Sequence, residues 1–254
     1  MPTHIHYRRQ KDIVTLTFSP EVEGKPPTLD LDVLDRLENI LERIEEDLGE
    51  LRAVVIRSNS EKYFIVGANI DALAELDAQS IVPWVQRGHA VFNRLSEFPL
   101  PVIAWVEGFA LGGGLELALA CDLILATDNA RLGQPEAKLG LVSGWGASHR
   151  LPRRVGLAKA KEMFFTGQIM DARSACDVGL VDYVGIREAV QQHLDNLLEG
   201  IRSCSPIAVA QMKLLLDDSL DTTIDENSLS EATASYHCME SADTQARIAA
   251  FLKK

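Results

Sequence analysis

Three consecutive glycines, Gly112 to Gly114, stand between an apolar run that ends at Val106 and a second apolar run, Leu115 to Cys121. This pattern predicts a buried strand, a tight turn and a buried helix. Glycine lets another molecule approach the backbone closely, because it has no side chain. The first N–H groups of a helix have no helical acceptor and lie at the positive end of its dipole. The turn therefore suits either a polarised ligand oxygen or simple close packing.

Two acids follow this turn. Glu116 falls within a predicted helix that is apolar all round, so the helix should be buried. A carboxylate in such a place costs several kcal/mol, as an order of magnitude, unless it is paired. A functional role is therefore favoured over that of a plain first-turn acid. Glu136 follows Pro135. Taken alone, it is as consistent with a solvated loop acid as with a functional acid. Two carboxylates beside free backbone donors suit acid–base chemistry at a carbonyl.

The apolar runs alternate in type along the first 150 residues. We predict strands at 13–18, 53–57, 101–106 and 122–127, with helices at 28–48, 71–76 and 80–98 and a loop at 58–68. Such a succession favours an α/β fold with parallel strands joined by right-handed crossovers. Later segments are mostly helical, at 158–165, 171–178, 187–203, 206–220 and 225–252, with a short strand at 181–184. We expect an α/β core over 1–186 and a helical section over 187–254.

Composition excludes several classes of protein. A formal net charge of -12 without a dominant basic patch argues against a general nucleic-acid binder. The four cysteines are scattered and the six histidines form no i, i+4 pair, so neither a disulfide framework nor a metal site is predicted. The N-terminus has no apolar segment of a signal peptide, and no window of about 18 apolar residues would span a membrane. We expect a cytoplasmic protein.

Several segments together resemble the enoyl-CoA hydratase/isomerase (crotonase) superfamily. They are 66–70, 106–118, 121–126 and 132–136, followed by 150–156 and 179–182, in the order and at the spacing of that family. The resemblance covers essentially the whole chain. It implies an α/β fold, a crotonase-like spiral of ββα units with a helical C-terminal trimerisation section, and a homotrimer or a dimer of trimers. It also implies an acyl-CoA thioester as substrate, with no metal and no cofactor apart from the CoA of the substrate.

The resemblance also assigns site residues. It implies that the N–H groups of Ala68 and Gly113 form an oxyanion hole, that Glu136 handles the proton at the α-carbon, and that Glu116 helps to activate water. Without it, Ala68 would be a plain core alanine. We further expect that a side chain at Gly113 would block the thioester without unfolding the chain. The expected substrate contacts, with Lys254 of a neighbouring subunit as a further phosphate contact, are Lys25, Lys62, Val66, Gly67, Ile70, Gly112, Gly144 and Trp145.

Three functions remain open. An acyl-CoA lyase that adds water syn to an α,β-unsaturated thioester is favoured, because both acids are present. A double-bond isomerase, which works with one acid at the position of Glu136, or a carbon–carbon-cleaving or hydrolytic relative is the alternative. Dienoyl-CoA isomerases and aromatic acyl-CoA dehalogenases use an aspartate near the position of Gly144, and His89 alone does not restore the latter chemistry. A non-catalytic crotonase-fold protein is disfavoured by the retained acids and oxyanion-hole glycine.

The segment 143–148 departs from the family pattern, since hydratases usually have Pro-Gly-Ala-Gly-Gly-Thr there. Trp145 is the largest difference. Its indole either narrows the acyl pocket, or stacks on a ring-shaped acyl group, or packs into the core.

Overall fold

The computed structural model describes residues 3–253, which form two β-sheets and ten α-helices. The strands are β1 (Thr3–Gln10), β2 (Ile13–Pro20), β3 (Ala53–Ser58), β4 (Tyr63–Ile65), β5 (Val102–Val106), β6 (Phe109–Leu111), β7 (Leu123–Thr127), β8 (Arg131–Gly133), β9 (Ile169–Asp171) and β10 (Tyr183–Gly185). The helices are α1 (Leu31–Glu45), α2 (Ile70–Ala74), α3 (Ile81–Ser96), α4 (Gly113–Leu119), α5 (Ala147–Thr166), α6 (Ala172–Asp177), α7 (Arg187–Ser203), α8 (Pro206–Asp218), α9 (Ile224–Glu240) and α10 (Ala242–Phe251).

The larger sheet has six strands in the order β1-β2-β3-β5-β7-β10. β1 and β2 form an antiparallel hairpin, whereas every pairing from β2 to β10 is parallel. The predicted parallel pairing of the apolar runs is therefore confirmed. β5 is buried along its whole length, which is the usual state of a parallel strand whose sheet is covered on both faces.

One face of this sheet packs against α1 and α3. Leu34, Leu37, Leu41 and Ile44 of α1 are buried there, as their spacing predicts. The helix begins at 31 rather than at the predicted 28, because Asp30 caps it by accepting a hydrogen bond from Val33 N–H at 3.0 Å. It ends at 45, before the predicted 48, and a short 3-10 turn follows.

The opposite face of the six-stranded sheet packs against α7. Val190, Leu194 and Leu198 of α7 are buried with residues of β2, β3, β5 and β7, including Val55 and Trp105. The helix at 187–203 is predicted from the sequence with the bounds observed. The division of the chain at residue 186 stays a prediction, although α7 itself clearly completes the core.

A second sheet of four short strands, β4-β6-β8-β9, was not predicted. Each strand has three residues, too few to show a period of two. β4 lies within residues 58–68, which were predicted to form a loop. The prediction is wrong over residues 63–65. β4, β6 and β8 are parallel, so the segments that follow them emerge at the same edge of the sheet.

The C-terminal helices also differ from the prediction. The single helix predicted over 225–252 is two helices, because Ser241 ends α9 and caps α10 by accepting from Thr244 N–H at 3.1 Å. α5 is longer than the predicted 158–165 and is interrupted at Gly156, where φ is 77°. None of the helices formed by residues 3–253 combines the length and the apolar composition that crossing a membrane requires.

Candidate active site

The loops after β4 and β6 meet at the start of α4. Gly67 has a φ of +106°, and a Cβ there would lie 3.2 Å from Leu111 O and 3.6 Å from Gly113 N. Gly112 also has a positive φ, of 52°. Glycine is needed at both positions because other residues rarely adopt this backbone region. The segment that carries Ala68 therefore lies directly against the N-terminus of α4.

Both predicted oxyanion donors have free N–H groups. Gly113 is the first residue of α4, so its N–H has no acceptor within the helix. The backbone on either side of Ala68 is fixed to Leu29, whose N–H donates to Gly67 O at 2.9 Å and whose carbonyl accepts from Asn69 N–H at 2.7 Å. Within the described part of the chain, the Ala68 N–H donates to nothing. The geometry thus leaves two backbone donors on adjoining loops.

A side chain at Gly113 would meet the indole of Trp145. A Cβ there would lie 2.6 Å from Cζ3 and 2.8 Å from Cε3 of that ring. The expectation that substitution of Gly113 leaves folding intact is therefore wrong, because a side chain at this position would overlap a packed ring. Glycine is required here for packing, independently of any ligand.

Glu116 is buried, with 2% of its surface exposed. Its Oε1 accepts hydrogen bonds from the backbone N–H groups of Trp145, at 2.7 Å, and Ala147, at 3.1 Å. Burial raises the pKa of Glu116 to about 7; the two hydrogen bonds and Arg150 oppose this rise, and the charge of Glu136 adds to it. Both protonation states are therefore populated near neutral pH, as a general acid–base group requires.

Glu136 lies beside the glycine turn. It begins a 3-10 turn after β8, and a Cβ at Gly112 would be 3.1 Å from its Oε1. Burial raises the pKa of Glu136, while its own backbone N–H and the Ser143 hydroxyl lower it. The structure thus brings together the two predicted acids: Glu116 is on α4 itself, Glu136 lies against the turn before α4, and the charge of Glu136 raises the pKa of Glu116.

Gln134 is a neighbour of Glu136 that the sequence analysis missed. Its side chain is 1% exposed. When its amide nitrogen is oriented toward Glu136, which satisfies both groups, it donates to Oε1 at 2.7 Å and Oε2 at 3.1 Å. The sequence does contain a signal for this role, because Gln134 stands between a predicted buried segment and Pro135. A buried amide there would need a hydrogen-bond partner.

Trp145 packs into the core. Its side chain is 1% exposed, and its ring centroid is 4.4 Å from that of Trp84 and 5.6 Å from that of Phe92. Gly88 of α3 has no side chain where the indole lies. The structure therefore favours core packing for Trp145, and its assignment as a substrate contact is corrected: the ring supports Gly113 from behind and offers no open face to an acyl group.

The other expected substrate contacts lie in loops beside the candidate site or at the surface. Val66 and Gly67 belong to the loop after β4, Ile70 is 58% exposed at the start of α2, and Gly144 lies against Val85. Lys25 and Lys62 are exposed, and Lys62 Nζ is 5.0 Å from the Tyr63 ring centroid. Lys254 lies outside the described residues. Their contacts with CoA remain predictions.

His89 is half-buried on α3, and burial, followed by the charges of Arg150 and His149, lowers its pKa. Residues 3–253 contain no cluster of three or more His, Cys, Asp or Glu side chains that could hold a metal ion.

Comparison with known proteins relates this site to one family. The model of the enoyl-CoA hydratase/isomerase family matches residues 11–254. A short-chain-enoyl-CoA hydratase of Clostridium acetobutylicum is 35% identical over 226 residues, which cover 89% of this chain and 86% of that protein. A crotonyl-CoA hydratase of Syntrophomonas wolfei is 34% identical over 226 residues, with the same coverage of 89% and 86%.

The crystal structure of an enoyl-CoA hydratase from Bacillus anthracis superposes with a TM-score of 0.90 at 30% identity, covering 98% of this chain and 96% of that one. The predicted fold class is thereby confirmed. The chain belongs to the enoyl-CoA hydratase/isomerase family and has the crotonase fold.

Proposed function

We propose that the protein is an acyl-CoA lyase that adds water syn to an α,β-unsaturated acyl-CoA thioester. One observation carries the proposal: two carboxylates of raised pKa, Glu116 and Glu136, lie at the same helix N-terminus as two free backbone donors. An isomerase needs only one of these acids. The relatives named as hydratases of short-chain and crotonyl thioesters support the same reaction.

The proposed reaction uses each group once. The thioester oxygen accepts from Ala68 and Gly113 N–H, and the helix dipole behind Gly113 stabilises the enolate that forms. Glu116 takes a proton from water as the water oxygen bonds to C3. Glu136 gives a proton to C2 as the enolate collapses. Transfer of a proton from Glu116 back to Glu136 through solvent restores the starting state. Gln134 holds Glu136 in place through the two hydrogen bonds described above.

The remaining expectations belong to the same proposal. We infer a short unsaturated acyl group from the names of the relatives, and CoA enters only as part of the substrate, without a separate cofactor. The four free cysteines suit a reducing compartment, which supports a cytoplasmic location. A homotrimer or a dimer of trimers is the proposed assembly, supported by the exposed apolar side chains of α8, α9 and α10.

The proposal is tested by an assay of crotonyl-CoA hydration. The rate is measured as the loss of absorbance of the conjugated thioester. Glu116→Gln and Glu136→Gln should each lower kcat by at least about 10²-fold, the scale of one positioned acid–base group. Glu46→Gln, which changes an exposed glutamate at the end of α1, is the matched control and should leave kcat unchanged.

The outcomes separate the open functions. A loss of less than tenfold in either catalytic variant would reject the two-acid mechanism. Turnover of a β,γ-unsaturated thioester that depends on Glu136 alone would indicate an isomerase. Binding of acyl-CoA without turnover of either substrate would indicate a non-catalytic member of the family.

A further inference from the structure

Arg150 joins α3 to the turn that precedes α5. Its guanidinium donates from Nη1 to Trp145 O at 3.1 Å, from Nε to Ser96 Oγ at 3.1 Å and from Nη2 to Asn93 Oδ1 at 2.6 Å. Asn93 and Ser96 are on α3, whereas Trp145 lies in the turn. Three charge-assisted bonds from one planar group fix the position of that turn relative to α3.

The same turn, together with Ala147 at the start of α5, supplies both hydrogen bonds to Glu116. Trp145 donates its N–H to Glu116 Oε1, while its carbonyl accepts from Arg150. Gly146 has a φ of 109°, and a Cβ there would lie 3.2 Å from Arg150 Cζ, so the turn passes close to the guanidinium. Arg150 therefore contacts the same residue that donates to the acid.

The two hydrogen bonds fall on one oxygen of Glu116. Oε1 accepts from Trp145 and Ala147, whereas Oε2 has no hydrogen-bond partner among residues 3–253. An oxygen that already accepts two N–H bonds is a poor site for a proton, because protonation would break one of them. Oε2 is therefore the oxygen left to exchange a proton with water.

The charge of Arg150 acts on Glu116 as well. It lowers the pKa of Glu116 against the raising effects of burial and of Glu136. Arg150 is half-buried, and burial lowers its own pKa. The other titratable or charged groups around the guanidinium are Glu97, Cys121, Arg153, His89 and His149.

We propose that Arg150 is a positioning residue for water activation, which holds the 145–147 turn against α3 so that both N–H groups bind Glu116 Oε1 and Oε2 faces the water. The proposal rests on the proposed role of Glu116. Arg150 would act on the reaction through Trp145, which accepts from its guanidinium and donates to Glu116.

The kinetic test compares Arg150→Gln and Arg150→Lys with Arg153→Gln. Arg153 lies on the same helix and contacts His149 and Asp221 instead of the turn, so its variant is the matched control. Arg150→Gln should lower kcat by about tenfold or more, the scale of lost hydrogen bonds to a charged group, with KM changed by less than about threefold. The acid limb of its kcat–pH profile should move to higher pH, because loss of the positive charge raises the pKa of Glu116.

Arg150→Lys keeps the charge but cannot reach three acceptors with one planar fork. It should leave the acid limb near that of the wild type while kcat stays low. A merely structural arginine would instead lower the melting temperature without moving the pH profile. Asn93→Ala, which removes one acceptor and no charge, should lower kcat by about two- to tenfold and provides the test if Arg150→Gln does not fold.

A second readout does not require turnover. The carboxyl carbon of Glu116 can be labelled with carbon-13, and its NMR signal is identified as the one missing in Glu116→Gln. The pH midpoint of this signal should be higher in Arg150→Gln than in the wild type. Coincident titrations would overturn the inference about Arg150, whatever the activity. If the wild type does not hydrate crotonyl-CoA, the proposed function fails, while this titration still decides the role of Arg150.

Discussion

Burial of Glu116 lowers the folding stability of the protein once its carboxyl group is ionised. A carboxylate with a pKa of about 7 in the native state and an ordinary value in the unfolded chain binds its proton more tightly when folded. Between those two values the native state carries more protons, so stability falls as pH rises through that window. At pH 8 the loss is on the order of 3 kcal/mol, from a shift of about two and a half pH units.

Glu116→Gln should therefore stabilise the protein at pH 8. The glutamine oxygen still accepts from Trp145 and Ala147, and the side chain carries no charge. Urea unfolding at a fixed protein concentration should give a higher midpoint than the wild type at pH 8 and nearly the same midpoint at pH 5. Glu46→Gln serves as the control. A difference that is larger at pH 5 than at pH 8 would contradict the raised pKa.

At the scale of elements, the long amphipathic helices and buried strands were predictable, whereas the small sheet was not. α1 and α7 each present one apolar stripe, and β3 and β5 are continuous apolar runs, so their periods appear in the sequence. β4 has three residues and leaves no period to detect. That sheet nevertheless brings the loops of the site together.

Some residues of the candidate site were likewise predictable from the sequence, and others were not. Glu116 was recognisable because an acid in an apolar helix is unusual, and the glycine turn was recognisable by its composition. Ala68 was assigned only through resemblance to a family, since an alanine carries no signal of its own. Glu136 was ambiguous alone, and its assignment depended on Glu116, on the glycine turn and on the resemblance. Gln134 and Arg150 were missed because their roles depend on contacts with Glu136 and with α3, which only the folded chain creates.

The packing of Trp145 against α3 gives a prediction for that helix. Alanine usually stabilises a helix relative to glycine by about 0.5–1 kcal/mol. At Gly88, however, a Cβ would overlap the indole of Trp145, so Gly88→Ala should destabilise the protein by about 1–3 kcal/mol. A Cβ at Gly200 of α7 would instead point into open space, so Gly200→Ala should stabilise the protein. Urea unfolding of both variants measures the contrast, and equal effects would refute the packing argument.

At the scale of the molecule, α8, α9 and α10 leave much apolar surface open. Residues such as Leu214, Ile224, Leu229, Ile248 and Phe251 are exposed, whereas few side chains on these helices are buried. Many exposed apolar side chains on neighbouring helices are typical of a subunit interface. It supports the proposed trimer, in which these helices would be covered by neighbouring copies.

Light scattering at micromolar concentration should therefore give the mass of three or six chains. The double variant Leu229→Glu/Phe251→Glu should shift the protein toward smaller species, because two charges would be buried in the interface. Val22→Glu changes an exposed apolar residue in the loop before α1 and should leave the mass unchanged. A monomeric wild type would contradict the assembly.

The position of α7 also sets the order in which the molecule can be built. The sheet face formed by Val55, Ile103 and Trp105 is covered by residues 187–203, and Asp12 is joined to Arg202 across 190 positions of sequence. During synthesis the strands therefore emerge long before the helix that shields them. Until residues 187–203 have been synthesised, α7 cannot cover these apolar side chains, so an unfinished chain is expected to be more prone to aggregation than the finished protein.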